Sequence, residues 1–439
     1  MPRRRPPECS GSREPSLVVD TAKEQFACPA PPGSPVRTPA RGHGACFCRA
    51  HRVSENDMGS EAIPRRDAPD AARIVLAHPR RPDASAHETA SQDELARRIA
   101  RLLDCPFLTE AEFQRLPHAV QPYCVPAETL TERECQSDSR LAGIRGEQDF
   151  FGGRVPYGFV ASKAITHALV DAHALRPQGW SLHFGARVRD AVLRGYTAFS
   201  RAEAVRAARL LLETGPVRLK PAQGKGGRGQ RVLESEAAAQ AALLECSGAD
   251  LVRHGVVLEE NLADIRTYSV GQVRVGPLVA SYVGEQTLTR DHAGEPAYGG
   301  SDLRFVRGTL AALLAGGLEE DEHRAVALAA AYDQAAADCY PGLIASRRNY
   351  DVARGLDGSG AVRVGVLEQS WRAGGASMAE ICALEAFQRD PALRTVRAYT
   401  LERYGEAEAP PLSAQLVYRG EDEREGPMVK YAGICAHDG

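Results

Sequence analysis

The pattern of apolar and polar positions along the chain changes near residue 70. Residues 1–70 sustain neither the period of about 3.6 residues that is typical of a helix nor the alternation of a strand. From Arg73 onward, short apolar runs alternate with amphipathic stretches that open at capping residues. This alternation predicts a mixed α/β chain that contains α+β parts.

The first ordered segment is predicted from a strand and a helix. Residues 74–77 form a short apolar run, and Ser91 with Glu94 forms a capping box for a helix through Leu103. Together they predict the first βα unit of an α/β domain. A turn-rich stretch at 150–156 then predicts a boundary between this domain and the next.

Helix signals recur beyond that boundary. A new helix that starts near Ser162 is expected to carry Lys163, and Ser200 with Glu203 predicts a capped helix that ends at 215–216. Farther along, Ser377 with Glu380 predicts the start of a helix over 378–388 by the same pattern.

Composition narrows the class of protein. The 439 residues are 43% hydrophobic and 25% charged, which is ordinary for a globular protein, and the net charge of −3 provides no basic field for nucleic acid. No run of about eighteen apolar residues occurs, and residues 1–30 lack the regions of a secretory signal. We therefore expect a cytoplasmic protein with no nucleic-acid and no membrane partner, whose eleven cysteines are reduced thiols.

The N-terminal 70 residues have a different composition. They hold eleven of the 28 prolines, so they are expected to be a disordered Pro/Arg-rich tail, and Met58 is an alternative translation start. The His and Cys residues between His43 and His51 lack the separated ligand pairs of a zinc finger, so their clustering is read as accidental.

Lysine is rare and clustered. It occurs at only five positions, three of them between 163 and 225: Lys23, Lys163, Lys220, Lys225 and Lys430. A phosphate site can require a compact charge on a flexible stem, for which arginine is a poor substitute. The clustering therefore points to phosphate, although chance placement of three lysines remains the competing reading.

A glycine-rich segment follows Lys220. It matches G-x-G-x-x-G, with glycines at 224, 226, 227 and 229, but a strand-like run at 230–233 follows where a dinucleotide site needs a helix. A P-loop is excluded because no Lys-Ser or Lys-Thr follows the glycines. The segment therefore predicts a strand, a glycine flap and a second strand, in which bare amides cover a polyphosphate. An ordinary glycine hairpin is the alternative.

Acidic residues occupy three later strands. An apolar strand at 256–262 is followed by Asp264 and Arg266, which share a face by alternation. Two further strands present Asp351 and Glu368, and hard oxygen ligands on adjacent strands suit Mg²⁺. By the same alternation Ser370 and Arg372 accompany Glu368, and a buried Glu368–Arg372 ion pair is the competing interpretation.

In order and content these motifs resemble the ATP-grasp superfamily over about Ser162 to Phe387. The strings F-G-G-R-V-P, N-Y-D-V and V-L-E-Q-S-W-R-A-G-G look like those of an uncharacterised bacterial family known only as a domain of unknown function. The resemblance implies an ATP-grasp fold with an N-terminal α/β domain at 71–160, nucleotide-binding lobes at 161–390 and C-terminal strands at 391–439.

The resemblance also implies roles for individual residues. The implied ATP-binding set is Lys163, Lys220, Gly224, Gly226, Gly227, Gly229, Glu259, Glu260, Leu262 and Asp264. The implied Mg²⁺ ligands are Asp351, Glu368 and Ser370, and the catalytic cations are Arg266 and Arg372. Ser370 stands where the superfamily motif usually has Asn, and serine is the poorer neutral ligand.

Three functions fit these residues. The first is an ATP- and Mg²⁺-dependent ligase that joins a small-molecule carboxylate or peptide acceptor to an amine or thiol through an acyl phosphate. The alternatives are a phosphotransferase acting on a small molecule and a non-catalytic nucleotide-binding protein. The sequence leaves the acceptor and the oligomeric state open, a homo-oligomer included.

Removal of residues 1–57 should leave both thermal stability and nucleotide binding unchanged, because a proline-dense segment without periodicity has little apolar surface to bury. Thermal unfolding of the truncated chain checks this expectation. A loss of several degrees, about 1 kcal/mol or more for a protein of this size, would show that the tail packs against the rest.

Overall fold

The computed structural model describes residues 73–117, 120–224, 229–405, 410–411, 413–423 and 425–435. The chain divides into two units, 1–66 and 67–439, and every described residue lies in the second. The expected tail, the alternative start at Met58 and the His43–His51 cluster lie outside the described residues. So do Gly226 and Gly227 of the predicted flap.

Eighteen strands occur within the described residues. They are β1 (Val75–Leu76), β2 (Phe107–Leu108), β3 (Tyr123–Cys124), β4 (Leu130–Thr131), β5 (Gly153–Val155), β6 (Gly195–Ala198), β7 (Val217–Pro221), β8 (Arg231–Leu233), β9 (Val256–Glu260), β10 (Ala263–Val275), β11 (Leu278–Arg290), β12 (Pro296–Arg307), β13 (Ile344–Ala345), β14 (Arg347–Leu356), β15 (Val362–Ser370), β16 (Thr395–Tyr404), β17 (Gln415–Asp422) and β18 (Gly426–Ile434).

Ten α-helices accompany these strands in the described part of the chain. They are α1 (Ala86–Leu102), α2 (Glu110–Phe113), α3 (Glu132–Ser137), α4 (Leu182–Arg187), α5 (Arg201–Leu212), α6 (Glu236–Glu245), α7 (Gly248–His254), α8 (Leu310–Ala315), α9 (Glu320–Cys339) and α10 (Ser377–Arg389). Two 3₁₀ turns, Gly158–Ala161 and Lys163–Thr166, follow β5. None of the described helices has both the length and the apolar content needed to span a membrane.

The largest element of the fold is an antiparallel sheet of eight strands in the order β15-β14-β10-β11-β12-β16-β18-β17. Its three C-terminal strands continue the sheet from β12, with Gly300 opposite Leu401. One face packs against α1 and α10, and the other packs against α8 and α9. Each face has its own apolar core, so the strands are held in register from both sides.

A smaller antiparallel sheet, β6-β9-β7-β8, packs its apolar face against α5 and α6. Strands β7 and β8 pair with Val217 opposite Leu233, which confirms the two strands predicted on either side of the glycine-rich segment. Ser200 accepts a hydrogen bond from the backbone N–H of Glu203 and caps α5, as predicted.

Two three-stranded sheets complete the fold. Strands β2-β1-β3 form a parallel sheet beside α1, and β13-β5-β4 joins the N-terminal segment to the region before β14. With the larger sheets, they confirm the predicted mixed α/β class.

Two predicted helix starts and one predicted capping box were wrong, each for a physical reason. The first helix begins at Ala86, because Ser85 and Glu88 satisfy both halves of a capping box two turns before Ser91. The second correction concerns α10, which begins at Ser377 without a side-chain cap, while Glu380 is buried in an ion pair with Arg347.

The helix predicted near Ser162 is instead a 3₁₀ turn, Lys163–Thr166. The chain extends again at His167, so that Leu169 bridges Thr197 and the Thr197 N–H donates to the Ala168 carbonyl at 2.9 Å. Tertiary pairing with β6 therefore overrides the local helical pattern.

Candidate functional site

Two carboxylates lie side by side at one edge of the large sheet. Asp351 on β14 is directly opposite Glu368 on β15 in the antiparallel register. The predicted pair of adjacent strands is therefore present in the structure.

A β-bulge sets the direction of Glu368. The register passes from Asp351 opposite Glu368 to Val352 opposite Val366, so Leu367 is the extra residue. Val352 and Val366 belong to the apolar core beneath α9. Without the extra residue, Glu368 would share the face of Val366 and point into that core, so the bulge re-aims its carboxylate to the side of Asp351.

The proximity of Glu368 changes the protonation of Asp351. Burial and the Glu368 carboxylate raise the pKa of Asp351 to about 7, against the opposing effect of a hydrogen bond from Gln286. Gln286 Nε2 donates to Asp351 Oδ1 at 2.6 Å. Two carboxylates in one buried site resist double ionisation unless a cation joins them.

Lys163 supplies one such positive charge. Its side chain is 4% exposed, and Nζ lies 3.0 Å from Glu368 Oε2. The same ammonium donates to the Gly224 carbonyl at 2.6 Å, at the end of β7 where the predicted flap begins. Lys163 thus joins the acidic pair to the base of the glycine segment.

The second predicted lysine, Lys220, is buried. Its ammonium pairs with Glu259, which is 1% exposed, and His167 Nε2 lies 3.1 Å from the other oxygen of that carboxylate. A Cβ at Gly195 would lie 2.7 Å from His167 Cε1, so glycine at this position gives the imidazole its space. Although burial opposes ionisation, Lys220 and His167 lower the pKa of Glu259 to about 2.

The other residues of the 259–262 segment also have partners within the protein. Glu260 receives hydrogen bonds from the Arg194 side chain at 2.9 Å and from Arg363 at 3.2 Å. Leu262 packs in a small apolar cluster with Leu193. The side chains of Glu259 and Glu260 are therefore occupied, and the backbone N–H groups of Glu260 and Asn261 donate to the carbonyls of Arg194 and Pro216.

The two described glycines of the flap lie at its ends. The Gly224 carbonyl accepts the Lys163 hydrogen bond, while Gly229 has φ of 75° and a Cβ there would lie 3.1 Å from Pro221. Gly229 therefore combines a left-handed backbone with a close approach to the incoming strand.

The predicted cation Arg266 does not join the acidic pair. A register shift between Ala263 and Arg266, with Asp264 at φ of 49°, interrupts the alternation that was expected to place Asp264 and Arg266 on one face. The Arg266 guanidinium contacts Glu285 and lies over the Tyr268 ring. Tyr268 packs in the apolar core beneath α9. Arg266 and its partners therefore lie on the sheet face opposite the one that carries Asp351.

Arg372 lies just beyond β15 and contacts the N-terminal segment. Its Nε is 3.4 Å from Glu128 Oε2, so the competing Glu368–Arg372 ion pair is wrong and Glu368 pairs with Lys163 instead. Ser370 shares the Asp351 face, opposite Asn349, and its Oγ lies 3.5 Å from Arg347 Nη1.

The donor set fits a divalent cation bound together with phosphate oxygens. Among the described residues, no group of three or more His, Cys, Asp or Glu side chains could hold a metal alone. Asp351 and Glu368 provide two hard oxygen donors, and Mg²⁺ commonly completes its shell with phosphates and water. Burial and the neighbouring Glu368 carboxylate raise the pKa of Asp351, and a divalent cation between the two carboxylates would oppose that rise.

Sequence patterns missed several residues around the site. Gln286 and His167 gave no motif signal, because their partners Asp351 and Glu259 are distant in the chain. Arg347 is 1% exposed and donates to the carbonyls of Ser370 and Arg372 at the end of β15. Its position four residues before Asp351 was visible, but only the fold reveals its partners.

Substitution Lys220→Ala should destabilise the fold by roughly 3 kcal/mol or more, because it removes one partner of a buried ion pair and leaves the Glu259 charge behind. The combined substitution Lys220→Met with Glu259→Gln should recover most of that loss. Denaturant unfolding of the wild type and the two variants measures the difference. A single variant as stable as the wild type would contradict the buried pairing.

Asp351 should make cation binding pH-dependent. The pKa of Asp351 is higher in the folded than in the unfolded chain, so its protonation stabilises the fold fully below about pH 4, and this contribution is lost as the pH rises through about 7. Mg²⁺ affinity should therefore increase from about pH 6 to about pH 8, with release of a proton on binding near pH 6. Calorimetry in buffers of different ionisation enthalpy measures the proton, and Asp351→Asn should abolish its release.

Comparison with known proteins gives one family and several structures of similar architecture. N5-carboxyaminoimidazole synthetase from Staphylococcus aureus, complexed with ADP, is 11% identical with a TM-score of 0.48, over 84% of this chain and 94% of that one. Biotin carboxylase from Campylobacter jejuni, in a β,γ-ATP complex, is 13% identical with a TM-score of 0.44, over 83% and 87%. D-alanyl-alanine synthetase A from Vibrio cholerae is 14% identical with a TM-score of 0.42, over 69% and 90%.

These are ATP-grasp proteins, the superfamily that the sequence motifs resemble. No curated protein matches the sequence. A family model described as a protein of unknown function, DUF3182, matches residues 75–432, which is more than half of the chain. The chain therefore belongs to the DUF3182 family.

Proposed function

We propose that this protein is an ATP- and Mg²⁺-dependent ligase that joins a carboxylate to an amine or a thiol through an acyl phosphate. The observation that carries the proposal is the convergence of Lys163, the Asp351–Glu368 pair and the base of the glycine hairpin at one place. This arrangement is suited to a nucleoside triphosphate. The buried ammonium can bind phosphate oxygens, the two carboxylates can bind a divalent cation, and the glycine-rich sequence offers backbone amides without side chains.

Each group has a definite task in this proposal. Lys163 and Lys220 contact phosphate oxygens, and the backbone of 259–262 meets the adenine. Asp351 and Glu368 hold the Mg²⁺, with Ser370 as a weak neutral neighbour. When bound, the ion supplies charge neutralisation across the phosphates. Arg372, which lies half-exposed beside Glu128, is the cation available to the transferring group.

The chemistry takes two displacements. In the first, a carboxylate oxygen bonds to the γ-phosphorus as the bond from that phosphorus to the bridging oxygen breaks, and ADP leaves with the electron pair. In the second, an amine nitrogen or thiolate sulfur bonds to the acyl carbon as its bond to the phosphate oxygen breaks, and inorganic phosphate leaves. An attacking amine loses its proton to solvent. No covalent bond to the protein is needed, so positioning and electrostatics carry the catalysis.

The reaction class is tested by the fate of the phosphate. The protein is incubated with Mg²⁺ and ATP, together with pooled small carboxylic acids and amines, and free phosphate is measured with and without hydroxylamine. A ligase releases phosphate and forms a hydroxamate from the acyl phosphate. Formation of ADP with phosphate retained on a product would favour a kinase, and binding without turnover would favour a nucleotide-binding protein.

Glu368→Gln should abolish turnover while most nucleotide affinity remains. The Glu368 carboxylate is proposed to hold Mg²⁺, whose charge neutralisation contributes most in the transition state of phosphoryl transfer. Glu147→Gln is the matched control: Glu147 is similarly exposed, at 30% against 32%, and is paired with Arg274 and Arg348 instead of a site lysine. Phosphate release and thermal unfolding are measured for both variants. Retained turnover in Glu368→Gln would remove the carboxylate from the mechanism.

A further inference from the structure

Gln369, the residue after Glu368, uses its whole amide in long-range hydrogen bonds. It is 3% exposed. Its Nε2 donates to the Val160 carbonyl at 2.9 Å and to the Ser162 carbonyl at 2.8 Å, while its Oε1 accepts from the Tyr332 hydroxyl at 2.9 Å. These three hydrogen bonds of a buried amide tie two separate parts of the chain, the segment before Lys163 and helix α9, to β15.

The two carbonyls that accept hydrogen bonds from Gln369 belong to the short segment just before Lys163. Val160 lies in the first 3₁₀ turn, and Ser162 caps the second one, Lys163–Thr166. These short turns lack the hydrogen-bond ladder that would make a helix rigid by itself. On the other side, Thr197 Oγ1 donates to the Ala164 carbonyl at 2.7 Å. The turn that carries Lys163 is thus held between β15 of the large sheet and β6 of the small one.

Strand alternation gives adjacent residues of β15 complementary tasks. Glu368 is opposite Asp351, whereas Gln369 is opposite Tyr350 and faces the core beneath α9, where Tyr332 lies. The carboxylate therefore points to the site while the neighbouring amide holds the segment that delivers Lys163 to the same carboxylate. Lys163 Nζ and Glu368 Oε2 are 3.0 Å apart.

We infer that Gln369 is a positioning residue that fixes the Lys163 ammonium relative to the Asp351–Glu368 pair. The inference rests on the proposed nucleotide site and adds to it the residue that sets its geometry. Loss of the Gln369 amide removes the hydrogen bonds that hold the Lys163 turn to β15. The Lys163 ammonium then no longer has a fixed position relative to the carboxylates when both bind the phosphates. Errors of about 1 Å in such groups are sufficient to reduce function strongly.

The chain offers a close control for the experiment. Gln92 is 6% exposed, and its Nε2 donates to two backbone carbonyls, those of Pro79 at 3.2 Å and Val125 at 2.8 Å. Gln92→Met therefore removes the same buried amide chemistry as Gln369→Met, but from the β1–α1 region instead of the Lys163 turn. Both variants keep the side-chain length and lose the hydrogen bonds.

Titration with ATP and Mg²⁺ is combined with thermal unfolding of both variants. Gln369→Met should weaken MgATP affinity about tenfold, whereas Gln92→Met should leave it within about twofold of the wild type. In a Lys163→Ala background, Gln369→Met should cause no further loss of MgATP affinity, because Gln369 contributes to that affinity only by positioning Lys163. Equal affinities for the two glutamine variants, or full additivity with Lys163→Ala, would overturn the inference.

Hydrogen exchange separates this inference from the proposed function. Amides of residues 163–168 should exchange at least about tenfold faster in Gln369→Met than in the wild type, and at an unchanged rate in Gln92→Met. Unchanged exchange in Gln369→Met would overturn the positioning role. If the wild type does not bind MgATP, the proposed function fails, and the exchange rates still decide whether Gln369 holds the turn.

Discussion

Repulsion between two neighbouring carboxylates is the constraint around which this site is built. Asp351 and Glu368 are opposite one another on adjacent strands, and burial makes their simultaneous ionisation costly. The protein meets this cost partly with the Lys163 ammonium and partly by holding a proton on Asp351 near neutral pH. A bound cation would replace that proton, so cation binding and proton release are two descriptions of one equilibrium.

Buried charges elsewhere in the fold are paired in the same manner. Lys220 is matched by Glu259, and Arg347 is matched by Glu380, which also accepts a hydrogen bond from the Tyr282 hydroxyl at 2.6 Å. Removal of one partner from such pairs is expensive, whereas the intact pair adds little net stability. Their effect is to fix geometry: Lys220 stays beside the glycine hairpin, and Arg347 holds the end of β15.

Local signals in the sequence were sufficient for elements whose partners are near in the chain. The Ser200 cap, the strands on either side of the glycine-rich segment and the strands that carry Asp351 and Glu368 all follow from short-range patterns. Signals failed where a distant partner decided the outcome. Glu380 matched a capping box three residues after Ser377, yet Arg347 captures its carboxylate.

Strand alternation was similarly limited by irregularities that a sequence does not reveal. The extra residue at Leu367 decides which face of the sheet Glu368 occupies. The register shift between Ala263 and Arg266 is followed by strand residues that place Arg266 on the sheet face opposite the two acids. Burial of Lys220 was also not predicted. The sequence around a lysine before a glycine-rich loop is the same whether or not a glutamate lies beside it on the neighbouring strand, as Glu259 does on β9.

The order of strands in the large sheet has a consequence for synthesis of the chain. Strand β12 ends at Arg307, but its partner β16 begins at Thr395 and the strand beside that one, β18, ends at Ile434. As the chain emerges from the ribosome, the site strands β10, β14 and β15 are complete while β12 still presents an unpaired edge. The acidic pair can therefore assemble before the sheet is finished, and the last strands to be made protect an edge that would otherwise recruit another chain.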